Sequence, residues 1–442
     1  MRKHKINKTS GITLIALVVT IIVLLLLAGI TIQTISGNNG ILEHTINAKD
    51  VTEQTQEKEN IQSAYLNATS KDKYDVTIKT LNKELQNNSI NGTATKAGES
   101  IKVSLENGNT YLIDQDGKLS EYKKSEISPV YVVIYSDGEM VFNSTREKDN
   151  TRTILYDGTN NDIGNTEFTK GADRPWHDYR SNVTSVTFKN SVVPKSTVCW
   201  FTSFFNLSSI NGIKLLDISN VTSMYGMFAG CSSLSSLDLS SFDTSNVNNM
   251  QQMFQQCENL TNLNISNFET KNVTTMRSMF NRCSSLESLD LSSFNTQNVT
   301  TMYGMFAGSQ TVTMNLKSIK GLENFNTKKV EDMGSMFQAC RYLEELDLRS
   351  FNTENVTNMF VMFNSCNLLK KIYVSDSFVT TSVTDSRGMF QYCNLLVGNN
   401  GTKFISSTDD ASMDATMAKI DTAVYDSEYN LISGIPGYFS TK

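Results

Sequence analysis

The chain has 442 residues, 39% of them apolar, and only four prolines. That length exceeds what one ordinary core organises, so two or more domains are expected, and the composition excludes wholesale disorder. Lys and Arg number 39 against 45 Asp and Glu, a formal −6; Arg2, Lys3, Lys5 and Lys8 contribute +4 in the first ten residues, which leaves −10 for the rest. An acidic body lacks the clustered Lys and Arg that phosphates need, so nucleic acid is excluded as the main partner.

In chain order, the first element is apolar. No charged residue occurs from Gly11 to Leu42, and Ile12–Ile32 (ITLIALVVTIIVLLLLAGITI) is almost wholly hydrophobic. At helical rise those 21 residues span ~30 Å, a bilayer's hydrocarbon core. The expectation is a basic leader over 1–11 and a single-pass transmembrane helix over 12–35. Its basic flank keeps the N-terminus cytoplasmic and places the bulk outside, at the cell surface. No A-x-A-like exit marks a cleaved secretory signal. The stretch SGITLIALVV resembles the start of type IV prepilins and pseudopilins. The resemblance implies cleavage between Gly11 and Ile12 by a prepilin peptidase, methylation of Ile12, and pilus-type assembly. Ala16 stands where that family usually carries a glutamate used in filament docking.

Residues 36–122 read as a helix followed by strands. After SGNNG, the segment from Ile41 to Thr69 puts Ile46, Val51, Ile61, Ala64, Tyr65 and Ala68 on one side at roughly helical spacing. YDVTIKT, ESIKVSLENG and NTYLIDQDGKLS are strand-like runs, giving a small antiparallel sheet, which the prepilin resemblance also implies. Residues 123–129 read as a linker.

The strongest signal is a repeat, N-V-T-x-M-x-x-M-F-x-x-C-x-x-L-x-x-L-x-L-S-x-F-x-T. Its Met-Phe pairs start at Met227, Met253, Met279, Met305, Met336, Met362 and Met389; five of the six steps are 26 or 27 residues, and the sixth, 31, carries an insertion. Val273, Met276, Met279, Phe280 and Cys283 fall at offsets 0, 3, 6, 7 and 10, one face of a short helix. Leu286, Leu289 and Leu291 then shift to alternation, a short strand. The expected fold class is therefore an α/β solenoid, a leucine-rich-repeat-like array of helix-strand coils over 201–398. Residues 130–200 and 399–442 form its end caps, behind the small pilin-like α+β domain. One unit is too small to stand alone, so each must stack on the next.

Cys231, Cys257, Cys283, Cys340, Cys366 and Cys393 hold one slot in successive units, where Ser309 and Phe204 also stand. A slot that accepts Cys, Ser or Phe suits a buried structural ladder. Disulfides between neighbouring coils are the rival reading. No C-x-x-C pair suggests zinc, and no metal or cofactor site is expected. Met at this spacing reads as core. Asn220, Asn272, Asn298 and Asn355 head N-V-T tripeptides that match a glycosylation acceptor but read better as caps.

The stretch from Val130 to Phe439 resembles the BspA-type leucine-rich-repeat surface proteins of bacteria, through the Trp200-Phe201 opening, the NVTxMxxMFxxC unit and the LVGNNGTKF…IPGYF ending. The resemblance implies surface display and adhesion, without enzymatic activity. His177 and Cys199 do not make a convincing base–nucleophile pair, so no catalytic residue is expected. The richest outward strand chemistry lies in the last two coils, at Glu345, Asp347, Arg349, Lys371 and Tyr373, the candidate face for an extracellular protein or glycan. The alternative is a minor pilin- or pseudopilin-like subunit of a surface filament.

Overall fold

The computed structural model describes residues 41–71, 76–97, 100–107, 109–122, 125–404, 413–425 and 429–441. The leader, the apolar span 12–35, the Gly11–Ile12 junction and Ala16 lie outside them. No helix among the described residues is long and apolar enough to cross a membrane. The single-pass, cell-membrane localisation is corrected to that extent: no described helix supplies a span, and Ile12–Ile32 itself lies outside the described residues.

The chain divides into two compact units, Met1–Ala94 with Lys102–Tyr122, and Thr95–Ile101 with Lys123–Lys442. In the first, helix α1 (Ile41–Lys71) buries Ile61, Ala64 and Ala68, and α2 (Ile78–Asn87) buries Leu81 and Leu85. Within the YDVTIKT run, the described residues 76–80 do not form a strand. Thr77 accepts from the Thr80 amide at 3.1 Å and caps a helix that continues the Ile78–Leu81–Leu85 spacing. Strands β1 (Gly92–Ala97), β2 (Ser100–Leu105), β3 (Thr110–Ile113) and β4 (Leu119–Glu121) form one sheet in sequence order. Glu57 ties α1 to this sheet, accepting from the Tyr111 hydroxyl at 2.6 Å and the Asn109 amide at 2.8 Å.

The second unit opens with the hairpin β5 (Tyr131–Tyr135) and β6 (Glu139–Asn143), closed at Gly138, whose φ of 92° only glycine adopts freely. With β7 (Ile154–Asp157), β8 (Ser185–Phe188) and β9 (Ser209–Asn211) they form a sheet of order β7-β5-β6-β8-β9. Strands β6, β8 and β9 run parallel, so this sheet converts an antiparallel hairpin into the parallel register that the repeats continue. Each repeat then supplies a three-residue strand: β10 (Ser236–Asp238), β11 (Asn262–Asn264), β12 (Ser288–Asp290), β13 (Ser318–Lys320), β14 (Glu345–Asp347) and β15 (Lys371–Tyr373). These pair in parallel twos, β10 with β11, β12 with β13 and β14 with β15. A short antiparallel pair, β16 (Val424–Tyr425) and β17 (Leu431–Ser433), follows, and β18 (Phe439–Ser440) joins β15.

The α/β helix-strand class is thus contradicted. Helices α1 and α2 both precede residue 88, the only helical pieces over 201–398 are two three-residue 3-10 turns (Ile213–Leu215 and Leu322–Asn324), and the strands sit in separate small sheets of two to five rather than one closed solenoid. The reason is visible in Val273–Cys283. Its amides alternate: those of Met279 and Cys283 close turns onto the carbonyls of Met276 and Phe280, while those of Met276, Ser278, Phe280 and Arg282 donate to Thr301, Tyr303, Met305 and Ala307 of the next repeat at 2.7–3.1 Å. An α-helix would send every amide along its own axis. Ser278 and Arg282 take positive φ, 54° and 59°, which breaks any helix. The spacing that mimics a helix belongs to a train of turns whose donors are satisfied by the neighbouring repeat. Stacking is therefore obligatory for backbone hydrogen bonding as well as for burial.

Eight phenylalanines, Phe201 through Phe390, stack one per repeat at 5.5–5.9 Å with interplanar angles of 1–23°. The N-V-T asparagines cross between repeats: Asn272 and Asn298 donate through Nδ2 to the carbonyls of Ser245 and Lys271 at 2.7 and 2.8 Å. Both ends are closed. At the start, Arg174 is 2% exposed and donates to the carbonyls of Trp200 (2.6 Å) and Thr202 (2.9 Å), supplying donors where no earlier repeat exists. At the finish, the Phe390 amide donates to the Met413 carbonyl at 2.9 Å, and Tyr438 and Phe439 pack edge-on against the Phe390 ring.

Candidate functional site

The repeat strands turn one residue inward and two outward. Leu237, Leu289, Leu346 and Ile372 are buried, while the register aligns Ser236 with Asn262, Glu345 with Lys371, Asp290 with Lys320 and Asp347 with Tyr373. Alternation on a parallel ladder thus produces outward columns, one side chain per repeat. Early repeats fill them with small neutral or acidic residues, Ser236, Asp238, Asn262, Asn264, Ser288 and Asp290. From the insertion onward lysines join them, and the charges pair: Glu287 with Lys317 (2.9 Å), Asp290 with Lys320 (2.8 Å) and Glu344 with Lys370 (2.7 Å). Hydrogen bonds from Lys320 and Ser292 hold the Asp290 carboxyl down at about 2.

Glu345, Asp347, Arg349, Lys371 and Tyr373 come together on β14, β15 and the residue that follows β14. Arg349 forks onto Asp347 through Nε (2.8 Å) and Nη2 (2.6 Å), and the Tyr373 hydroxyl donates to Glu345 at 3.4 Å. Lys371 points toward the end cap, donating to the Gly398 carbonyl at 2.8 Å. The patch is rich in charge but close to neutral, and such exposed pairs contribute about 0–1 kcal/mol each, so they are available for exchange with a partner's charges.

Beside them lies a feature that the repeat pattern did not single out. The position two residues after the cysteine slot is Ser233, Asn259 and Ser285 in early repeats and Tyr342, Leu368 and Leu395 in the last three. Those three are 45, 37 and 44% exposed. The signal was present in the sequence as a column that changes from polar to apolar, but an apolar residue beside a leucine reads as core.

All seven cysteines are free and buried. The six ladder thiols, Cys231, Cys257, Cys283, Cys340, Cys366 and Cys393, are fully shielded, and each donates to the carbonyl of the preceding repeat's phenylalanine (Phe201, Phe228, Phe254, Phe306, Phe337 and Phe363) at 3.0–3.3 Å. Burial pushes Cys257 and Cys366 up to about 12 and the other four well above the ordinary thiol range. Cys199 is 3% exposed and is raised by burial too, while His177 has Arg174 Nη2 3.4 Å from its Nδ1. Among the described residues no three His, Cys, Asp or Glu side chains gather as a metal would require.

With this geometry in hand, the relatives can be placed. Residues 200–319 and 312–423 match the family described as "Mycoplasma protein of unknown function, DUF285", together just over half of the 442 residues. The chain belongs to this family. The matched residues hold all eight phenylalanines of the stack, from Phe201 to Phe390, while the capping residues Arg174, Trp176, Tyr438 and Phe439 lie outside them. Among solved structures the chain is similar to a leucine-rich repeat protein from Eubacterium ventriosum ATCC 27560, at 17% identity, TM-score 0.25, over 63% of this chain and 77% of that one. It is also similar to a leucine rich cell surface protein from Faecalibacterium prausnitzii A2-165, at 13% identity, TM-score 0.24, over 64% of this chain and 54% of that one. No curated protein matches.

Proposed function

We propose that the chain is a non-catalytic binding or adhesion protein of the cell-surface kind, and that its last three repeats hold a protein partner. The observation that carries this is the exposed apolar stripe Tyr342–Leu368–Leu395 beside balanced ion-pair columns. An apolar strip rimmed by polar and charged groups has the anatomy of a protein interface, and aromatic and aliphatic anchors dominate such contacts. The resemblance of residues 130–439 to BspA-type surface proteins supports the same reading.

The test immobilises the full chain and measures retention of extracellular-matrix proteins. A retained partner should bind about tenfold or more weaker to the Tyr342→Ala, Leu395→Ala double variant, a loss of about 1.4 kcal/mol or more. Undiminished binding by that variant, with unchanged circular dichroism, removes the proposed face.

A further inference from the structure

A second site lies where the N-terminal cap meets the first two repeats. A groove of about 350 Å³ is lined there by Glu167, Lys195, Thr222, Ser223, Tyr225 and Asn249, among others. Its volume suits a small ligand or a few rings of a chain. From the structure we infer that this groove binds a neutral oligosaccharide, with a sugar ring stacked on Tyr225. The inference rests on the reading of the chain as a binding module and adds a ligand class at a separate place.

Three observations select that class. First, the groove's only charges on these residues cancel: Lys195 Nζ lies 3.0 Å from Glu167 Oε1, both well exposed. An anion would find no surplus of positive charge, in a chain of net −6. Second, hydrogen-bonding capacity is left over. Ser223 Oγ accepts from the Tyr225 amide at 3.3 Å and Asn249 Oδ1 from the Gln251 amide at 2.9 Å. Those bonds fix both side chains, yet leave the Ser223 hydroxyl proton and Asn249 Nδ2 to donate. The Tyr225 and Thr222 hydroxyls likewise have no partner among the described residues. An apolar ligand would strand these groups, whereas a ring of hydroxyls satisfies them.

Third, Tyr225 keeps its ring face for a ligand. The same position in later repeats holds Tyr303 and Phe360, and each is covered by an arginine: Arg277 at 4.0 Å from the Tyr303 centroid, Arg387 at 5.4 Å from that of Phe360. No cation covers Tyr225 among the described residues; the repeats before and after it carry Val198 and Gln251 at the position that Arg277 and Arg387 hold beside Tyr303 and Phe360. The apolar C–H face of a pyranose can stack there while its edges reach Asn249 and Ser223. The ladder from Ser223 through Asn249 continues in parallel to Asp385, so the groove opens onto a polar track that an oligomer can follow.

The experiment titrates the full chain with cellopentaose, laminaripentaose, mannopentaose and chitopentaose, using saturation-transfer NMR and calorimetry, with a hyaluronan hexasaccharide as the anionic control. At least one pentaose is expected to bind, and more tightly than the anion. Tyr225→Ala and Asn249→Asp should each weaken it about tenfold or more, since Asn249→Asp keeps the acceptor for the Gln251 amide but removes the donor. Leu395→Ala, on the proposed protein face, should leave it unchanged. The inference is overturned if no pentaose binds, if the anion binds best, or if Tyr225→Ala and Asn249→Asp bind as well as the parent chain. Should no pentaose bind while matrix protein is still retained, only the sugar inference falls; loss of both removes the binding-module reading as well.

Discussion

Titrating the buried thiol column should unfold the repeats from within. In the unfolded chain a thiol ionises near 9.0, whereas burial holds Cys257 and Cys366 at about 12 and pushes Cys231, Cys283, Cys340 and Cys393 well above the ordinary thiol range. These are acids whose folded value is raised, so above pH 9 the folded state holds protons that the unfolded state has lost. Their contribution is fully present below pH 9 and drains away as pH rises toward 12. At pH 10.5 Cys257 and Cys366 each favour the unfolded chain by about 2 kcal/mol, and the other four thiols push the same way. The assay is the urea midpoint from pH 7.5 to 10.5, followed by the fluorescence of Trp176 and Trp200, the chain's two tryptophans, both fully buried in the second unit. The midpoint should be flat to about pH 8.5 and then fall steeply.

Buried tyrosines push in the same direction, so one variant isolates the thiols. Cys257→Ala removes a hydrogen bond to the Phe228 carbonyl and leaves a small void, a cost of about 1–3 kcal/mol at pH 7.5. It also removes one titrating group. By pH 10.5 the variant escapes about 2 kcal/mol of the alkaline loss, so its deficit should close or reverse. A deficit that stays constant from pH 7.5 to 10.5 would refute the reasoning. So would prompt modification of the native ladder by a thiol reagent at pH 8.

Three further outcomes follow from the same architecture. Arg174→Met leaves the Thr202 carbonyl without its donor and Trp200 with only the Trp176 indole at 3.1 Å, so the second unit's urea midpoint should fall by about 2–5 kcal/mol equivalent. An unchanged midpoint would mean the end needs no such cap. Thr270→Val strands both the amide and the carbonyl of Asn295, which the buried Thr270 hydroxyl now serves at 2.8 and 2.9 Å; about 2–5 kcal/mol should be lost in equilibrium unfolding. Gly321→Ala forces a side chain onto φ 96° with its Cβ 2.4 Å from the Leu291 carbonyl carbon, and should cost about 3 kcal/mol or more. Gly230→Ala, at φ 77° but 3.2 Å from its nearest neighbour, should cost only about 1 kcal/mol by the same melt.

The period was legible because identical chemistry recurs at identical offsets, and the strand columns because Leu286, Leu289 and Leu291 alternate. The helix was not. Offsets of 0, 3, 6, 7 and 10 fit one helical face, and they equally fit consecutive turns in which every third or fourth side chain points inward. The discriminating residues were glycines. Gly226, Gly230, Gly304 and Gly388 recur at two fixed places inside the supposed helix, and all take positive φ. A recurrent glycine in mid-element asks for a left-handed backbone, which no α-helix contains. The outward face was placed by alternation, but its apolar stripe was missed because Tyr342 and Leu368 sit next to core residues in the sequence and exposure has no letter of its own.

The cysteine slot shows where sequence and structure meet. Read from substitution alone, a position that admits Cys, Ser and Phe is defined by size. The structure adds a second requirement, a donor for the carbonyl of the preceding repeat's phenylalanine. Phe204 can occupy the slot in the first repeat because no earlier Met-Phe pair stands behind it to present such a carbonyl. Donors at that end come instead from Arg174 and Trp176, which serve the Trp200 and Thr202 carbonyls. Ser309 falls in the repeat with the insertion, where its hydroxyl accepts from the Val312 amide at 2.9 Å and so serves the local loop. The two exceptions therefore sit where the ladder begins and where it is interrupted. A regular interior repeat, with a phenylalanine carbonyl behind it and no loop to tie down, holds the one small apolar side chain that can also donate.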